Sequence, residues 1–372
     1  MVREESCTKY LTNVEFLNVL LNEFTKRYRN RWQSRLLSET DPSRITSNPS
    51  ACSVIPGLST KQREICIYHP DTMKFLIDGL RMAISQCQHA FRDQVWNCTL
   101  TVPGVGTTPL KIASKESAFV YAIASAGVSH SLAKACAKGL IEDCGCGPTP
   151  SSLSNNFVWS GCSDNVRYGN SFGRKFIDMN DKVHSDARAL MNLHNNRVGR
   201  RLLAAQMAKE CKCHGVSGSC VTKTCWRVVP KFDEFAQLLK HKYDIAQQVT
   251  VAPHDMSLMI REPAFDGKRT ERYLKDKRDK HKASKGDLVY LDASPNYCSL
   301  DTRGRNCGTN CNEICCGKGT YRFFVPFCFL ANVTVVSRGI FVRMSAGTLC
   351  EKWSMSLVIV DLFGAVMCSA KH

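Results

Sequence analysis

Four cysteines, Cys211, Cys213, Cys220 and Cys225, frame a six-residue tip, His214-Gly215-Val216-Ser217-Gly218-Ser219. If their bonds nest, Cys213–Cys220 closes the tip and Cys211–Cys225 clamps its base. A loop closed twice has little freedom to collapse onto the body. Ser217 sits between Val216 and Gly218, where nothing bulky shields its hydroxyl. This is the layout of a displayed, modifiable serine, and the same residues also read as a plain turn in which Ser217 is helped by its glycines. A hydrolase reading fails on pattern. The nucleophile elbow needs Gly-x-Ser-x-Gly, and the run Gly215-Val216-Ser217-Gly218 is followed by Ser219. The sequence holds no phosphate-cradling glycine loop and no His-Glu-x-x-His, so no enzyme is expected.

The chain carries 21 cysteines in 372 residues, far above intracellular usage. Zinc favours Cys-x-x-Cys pairs whose sulfurs reach one ion. Here the close pairs are Cys-x-Cys and Cys-Cys, and no Cys-x-x-Cys occurs, so composition favours disulfides over a metal site. An odd total leaves at least one thiol unpaired or bonded between chains. Of the formal charge of +17, much lies in residues 268–285, where nine Lys/Arg face three Asp/Glu. That run reads as a solvated linker whose positive potential would draw polyanions, sulfated glycans in an extracellular setting. A single aromatic residue, Tyr273, falls among these charges, which is no stacking platform, so nucleic acid is not an expected partner. Two sequons, Asn97-Cys98-Thr99 and Asn332-Val333-Thr334, mark Asn97 and Asn332 as glycan acceptors on a secretory route.

The elements that must position the loop are helical. Over residues 71–96 the stripe Met73, Leu76, Ile77, Leu80, Ile84, Cys87, Phe91 and Val95 predicts an amphipathic helix. Cys87 lies on its buried face. Residues 114–138 are apolar almost all round, with Ser114 as N-cap and Gly139 as stop, which predicts a central buried helix. Its serines, His130 and Lys134 argue against a membrane span. A third helix over about 185–209 carries Ala187, Leu190, Met191, His194, Val198, Leu202 and Ala205 on one face, with His194 a packed core histidine. A fourth covers about 231–248. The fold class expected is mainly α with disulfide-locked β-hairpins.

The segment Cys211–Trp226 closely resembles the signature of the Wnt family of secreted, lipid-modified signalling proteins. Similar blocks extend through residues 52–320. They include Gln86-Cys87-Gln88-His89-Ala90-Phe91-Arg92 with Trp96-Asn97-Cys98, and Glu116-Ser117-Ala118-Phe119. Further on come Trp159-Ser160-Gly161-Cys162-Ser163-Asp164-Asn165, Leu190-Met191-Asn192-Leu193-His194-Asn195-Asn196, and Cys315-Cys316-Gly317-Lys318-Gly319.

The resemblance implies a two-domain, cystine-rich protein with bonds Cys87–Cys98, Cys136–Cys144, Cys146–Cys162, Cys211–Cys225 and Cys213–Cys220. Cys52–Cys66 is added from the residues themselves. It implies that Ser217, rather than its neighbour Ser219, carries a palmitoleate-like acyl group placed there by a membrane-bound O-acyltransferase. No other cofactor is implied. The acylated tip, with Lys212, His214, Gly215, Val216, Gly218, Val221 and Lys223, would bind the cysteine-rich domain of a Frizzled receptor. A lipoprotein-receptor-related co-receptor and heparan sulfate proteoglycans complete the implied partners. The implied role is a secreted, extracellular ligand in development and cell-fate control.

The expected layout is a helical N-terminal domain over 51–260 with its hairpin at 211–226, a basic linker over 261–286, and the start of a cysteine-rich C-terminal domain over 287–320. The ends depart from the family. Residues 1–50 are polar and charged, and their apolar patch Phe16–Leu21 is too broken for a signal-peptide core. Residues 321–372 hold only Cys328, Cys350 and Cys368 where the family has dense closing cysteines. Two further readings follow from these ends: a cytosolic thiol- or zinc-binding protein, and an inactive isoform that keeps the hairpin without the closing domain.

Overall fold

The computed structural model describes residue 52 and residues 58–98, 112–150, 157–252, 256–261, 282–299 and 311–316, with strand segments 320–323, 336–337, 340–341 and 365–368. Asn332 lies outside the described residues. So do most of the terminal segments 1–50 and 321–372 and of the basic linker.

The first compact unit takes the described residues through Asn296, apart from Asp93–Val95. Its helices are α1 (Thr60–Tyr68), α2 (Pro70–Ala90), α3 (Lys115–Ala137), α4 (Val166–Phe176), α5 (Met179–Val183), α6 (Ala187–Ala205) and α7 (Phe232–Asp244). The centre is α3. Phe119, Ala122, Ala126, Val128 and Leu132, which face different directions round its axis, are all fully buried. A helix apolar on every side must be surrounded. Four neighbours do this: α2, α4, α6 and α7 each pack on α3. The α2 contact is close enough to admit no side chain. A Cβ built on Gly127 would meet the Gly79 carbonyl oxygen at 2.5 Å, and one on Gly79 would meet the Gly127 oxygen at 2.5 Å.

Ser114 holds the N-cap position of α3 in extended conformation, but its side chain makes no capping bond. The hydroxyl of Ser117 instead donates to the Ser114 carbonyl at 2.8 Å. At the other end Gly139 is left-handed (φ 65°), and the amides of Gly139 and Leu140 donate to Cys136 and Ala135. That closes the helix as a Schellman turn, with the glycine where the sequence placed its stop.

Helix α2 is shorter than its stripe. It ends at Ala90 because Cys87 bonds Cys98, which turns the chain back. Phe91 then packs its ring edge-on against Trp96, Phe119 and Tyr243 at 4.8–4.9 Å. Helix α7 also stops early. Val249, Thr250 and Val251, β-branched and suited to a pleated surface, lie in strand β4 (Gln247–Val251). That strand pairs antiparallel with β5 (Leu258–Ile260) and parallel with β6 (Val289–Tyr290).

Residues 287–296 belong to the first unit, whereas the sequence placed them at the start of the second. Three ties hold them there. Asn195 exchanges side-chain bonds with the main chain of Val289 at 2.9 and 3.0 Å, the Leu291 amide donates to Ala113, and Ser294 donates to the Glu116 carboxylate. His194 is half-buried, with Nε2 2.9 Å from the Asp287 carbonyl oxygen, in keeping with a packed structural histidine.

The second unit holds Asp93–Val95 and the described residues from Tyr297. Cys298 bonds Cys316 beside the short helix α8 (Cys311–Ile314). Strand β7 (Thr320–Phe323) pairs antiparallel with β10 (Ala365–Cys368), and β8 (Val336–Ser337) with β9 (Ile340–Phe341). No helix among the described residues is long and apolar enough to cross a membrane.

Two outcomes follow for stability. Gly127→Ala forces α2 and α3 apart and should cost about 1–3 kcal/mol, an overpacking effect, read as a lower denaturation midpoint of the purified protein. His130 is buried, and desolvation lowers its pKa to about 4, against its one main-chain contact, Nε2 to the Pro230 oxygen at 2.9 Å. The unfolded chain therefore binds more protons between pH about 4 and 6.5, and stability falls as pH drops through that window. Asp181, raised to about 6 by desolvation, acts in the opposite sense, gaining as it protonates. His130→Gln keeps a donor for Pro230 without a titration. It should flatten the acid limb by about 2 kcal/mol between pH 7 and 5, measured by denaturant unfolding at each pH.

Candidate functional site

The cysteine segment folds as a hairpin. Strands β2 (Ala208–Cys213) and β3 (Lys223–Val228) pair antiparallel with Cys211 opposite Cys225 and Cys213 opposite Lys223. Cys211 bonds Cys225 across the ladder, and Cys213 bonds Cys220 at the tip. Beyond the strands the tip is tied by its own main chain. The His214 amide donates to Thr222 at 2.8 Å, Gly215 to Ser219 at 2.8 Å, Gly218 to Gly215 at 3.0 Å and Ser219 to Val216 at 3.2 Å. A loop that satisfies its backbone internally needs no support from the body.

Ser217 lies in a single 3₁₀ turn, Val216–Gly218, with left-handed backbone (φ 58°, ψ 25°). That conformation is uncommon for a residue with a Cβ, and this one is held by the bonds on either side of it. The serine is exposed, as are His214 and Gly218, and Gly215 is half-buried. Val216 is 91% exposed and Val221 87%, the two most exposed large apolar side chains in the described structure. Water gains nothing from two bare valines at the end of a rigid finger, which makes them an apolar contact surface.

The two flanking lysines do not share a face. Side chains alternate along a strand, so Lys212, opposite Thr224, lies on the face of Glu210 and Trp226, while Lys223 lies on the face of the cystines. His214 reaches back along the hairpin, its Nε2 2.7 Å from the Thr224 hydroxyl.

The base of the finger is sewn to the helical body by the Trp159–Asn165 block. Strand β1 (Val158–Trp159) runs parallel beside β3, and the Ser160 amide donates to Cys225 at 3.0 Å. The Asp164 carboxylate accepts from the Val229 amide at 2.9 Å, and the Ser163 hydroxyl from that of Arg227 at 3.0 Å. Desolvation raises the Asp164 pKa in spite of the Val229 bond. Gly161 (φ 93°) lies against the Trp226 ring, where a Cβ would come within 3.1 Å. Asn165 caps α4 through Tyr168 and donates to Gly145, and its own amide donates to Ala133 of α3. A periodicity reading has no signal for this block, because its residues work as caps and main-chain partners rather than as a face.

Among the other cysteines, Cys87 bonds Cys98, Cys136 bonds Cys144, Cys146 bonds Cys162 and Cys52 bonds Cys66. Cys136–Cys144 and Cys146–Cys162 link the end of α3, through the 144–146 turn, to the block under the hairpin. Asn97 is half-buried in the turn before Cys98. No group of His, Cys, Asp and Glu side chains among the described residues is placed to hold a metal ion. A cavity of about 750 Å3 opens at the hairpin's base, walled by Trp226, Phe235, Leu238 and the stems of Lys134, Lys138 and Lys209, and no residue from 211 to 225 lines it.

The Wnt family model matches residues 54–325. Protein mom-2 of Caenorhabditis elegans is 55% identical over 301 residues, covering 76% of this chain and 83% of that protein. Human protein Wnt-2b is 41% identical over 290 residues, covering 72% of this chain and 70% of the relative. Among solved structures, human WLS in complex with WNT8A matches with a TM-score of 0.45 at 31% identity, covering 71% of this chain and 88% of that one. The family match over most of the chain and the identity to these two relatives carry the assignment: the chain belongs to the Wnt family of signalling ligands.

Proposed function

We propose that this chain is a secreted ligand whose Ser217 is esterified with a long unsaturated acyl group and which binds the cysteine-rich domain of a Frizzled-type receptor through that group. The observation that carries the reading is the geometry of the tip: an exposed serine between exposed valines, on a hairpin bonded at its base and again at its end. A membrane-bound O-acyltransferase can reach such a hydroxyl without unfolding anything. A 16-carbon chain that buries ~14 methylenes at ~0.8 kcal/mol each contributes up to ~11 kcal/mol, comparable to a nanomolar interaction. Rigidity matters as much as area, because a finger already fixed in space pays little further ordering on binding.

Around the lipid, Val216 and Val221 supply apolar contact, and Lys212 and Lys223 supply charge on opposite sides of the finger. A lipoprotein-receptor-related co-receptor would complete the signalling assembly. The seven disulfides seen among the described residues suit an oxidising, extracellular compartment.

The test is receptor binding by matched variants purified from the medium of animal cells, immobilised against the soluble cysteine-rich domain of a Frizzled receptor. Ser217→Ala should lose both the acyl group and at least a hundredfold in affinity, while its disulfides stay intact. Ser219→Ala should keep both. Unchanged binding by Ser217→Ala, or loss only with Ser219→Ala, would sink the assignment. The paired variant Cys211→Ser/Cys225→Ser keeps the tip bond and releases the base, and should weaken binding by about tenfold through the added ordering cost.

A further inference from the structure

The cavity of about 750 Å3 at the hairpin's base is formed where three elements meet. The end of α3 supplies Lys134 and Lys138, β3 supplies Trp226 and Val228, and α7 supplies Phe235 and Leu238. The strand and α7 thus give it an apolar wall, and α3 gives it cations. Trp226, Val228 and Leu238 are only half-buried, so part of each still faces water.

The carboxylates in the lining are each engaged. Asp164 accepts from the Val229 amide at 2.9 Å, Glu210 from the indole N–H of Trp226 at 3.2 Å, and Glu234 lies 3.8 Å from the Lys231 ammonium. Lys209 is taken up as well, its Nζ 4.4 Å from the centre of the Phe157 ring. Lys134 and Lys138 are different. Neither ammonium has a carboxylate within ion-pair distance among the described residues, and the two lie one helical turn apart, both lining the cavity. Desolvation raises the Asp164 pKa, and the fields of Lys134 and Lys138 both oppose that rise, so both charges bear on the cavity. Cations near the end of a helix also complement its last carbonyls. That role asks for charge alone, whereas here the charges share a concave site with an indole and a leucine.

We propose that this cavity binds a single-chain anionic lipid, its acyl chain laid along Trp226, Val228 and Leu238 and its head paired with Lys134 and Lys138. Small-molecule sites of ~300–1,000 Å3 work in this way, with apolar walls taking the body of the ligand and a few polar groups fixing its orientation. A carboxylate or a phosphate would serve the two ammonium groups equally, so a fatty acid and a lysophospholipid are two sources of one chemistry. A bilayer surface suits the site less, because the cations and the apolar residues line one concavity and not a convex face. The bound chain would bridge α3, β3 and α7 and brace the base of the hairpin. It would not touch the tip, since no residue from 211 to 225 lines the cavity. The site is separate from the acyl group proposed on Ser217 and does not depend on that reading.

The probe is cis-parinarate, a fatty acid that fluoresces on leaving water, titrated into the full-length chain carrying Ser217→Ala and purified from animal cells without detergent. The substitution removes a covalent lipid that would compete, and it has no bearing here if Ser217 is never acylated. Saturable binding is expected, with energy transfer from tryptophan that weakens in Trp226→Phe. The variant Lys134→Gln/Lys138→Gln removes both charge-assisted contacts to the head and should weaken binding about tenfold or more. Leu238→Glu sets a charge in the path of the chain and should weaken it as well. Oleate and oleoyl lysophosphatidate should both displace the probe, the tighter of them naming the head, and methyl oleate should displace it far less well.

Parental binding by the double lysine variant would overturn the proposal. So would equal displacement by methyl oleate, or parental binding by Leu238→Glu with energy transfer unchanged in Trp226→Phe. A titration with no saturable binding would overturn it outright.

Discussion

A helix that is apolar on every side has no stable place except the middle of something, and α3 imposes that condition on the whole first unit. Four helices must cover it, and the covering is close enough to need glycine where backbones meet. Two of the covering elements also take on a second task. Helix α2 carries Cys87 and the aromatic turn behind it, and α7 starts where the hairpin ends. The Arg200–Asp178 pair is an ion pair buried within this packing. Its bidentate bond, with Ser125 on α3 as a further acceptor at 2.6 Å, ties α6 to α3 and to the segment between α4 and α5. Removing one partner would strand a buried charge, which is costly even where the intact pair adds little net stability.

The hairpin depends on that body only through its base. Ser163, Asp164 and Asn165 hold β3 and the end of α3 with main-chain hydrogen bonds, and two cystines bridge the same region. Above Cys211 and Cys225 the hairpin satisfies itself. This division explains how an exposed, left-handed serine persists at the tip. The cost of the conformation is met locally by two disulfides and four short main-chain bonds, with no share of the hydrophobic core involved.

What sequence alone revealed followed the strength of the local signal. The stripe from Met73 to Cys87 and the run from Phe119 to Leu132 are strongly periodic or strongly apolar, and both helices are where those patterns put them. The ends were less legible. Val95 fits the stripe of α2 but lies past the turn that the Cys87–Cys98 bond sets. The valines and threonine of 249–251 fit the end of α7 but belong to a sheet completed by Val289, forty residues further on, which local patterning does not encode. The hairpin was legible because cysteine spacing and glycine content speak to each other over only fifteen residues. The opposite facing of Lys212 and Lys223 depends on strand register, and the cavity at the hairpin's base on how α7 and the end of α3 meet β3. Asn192, Asn195, Asn196 and Arg200 look like an interruption of an apolar face until their partners, Asp181, Val289 and Asp178, are in place.

The central claim is that a doubly bonded hairpin presents Ser217 for acylation, and the most direct test is mass spectrometry of the unreduced peptide spanning 211–226, taken from protein secreted by animal cells. The account predicts one species in which both disulfides are intact, Cys211 with Cys225 and Cys213 with Cys220, and a long monounsaturated acyl mass sits on Ser217. An unmodified serine in a correctly bonded hairpin, or an acyl group on Ser219, would contradict it.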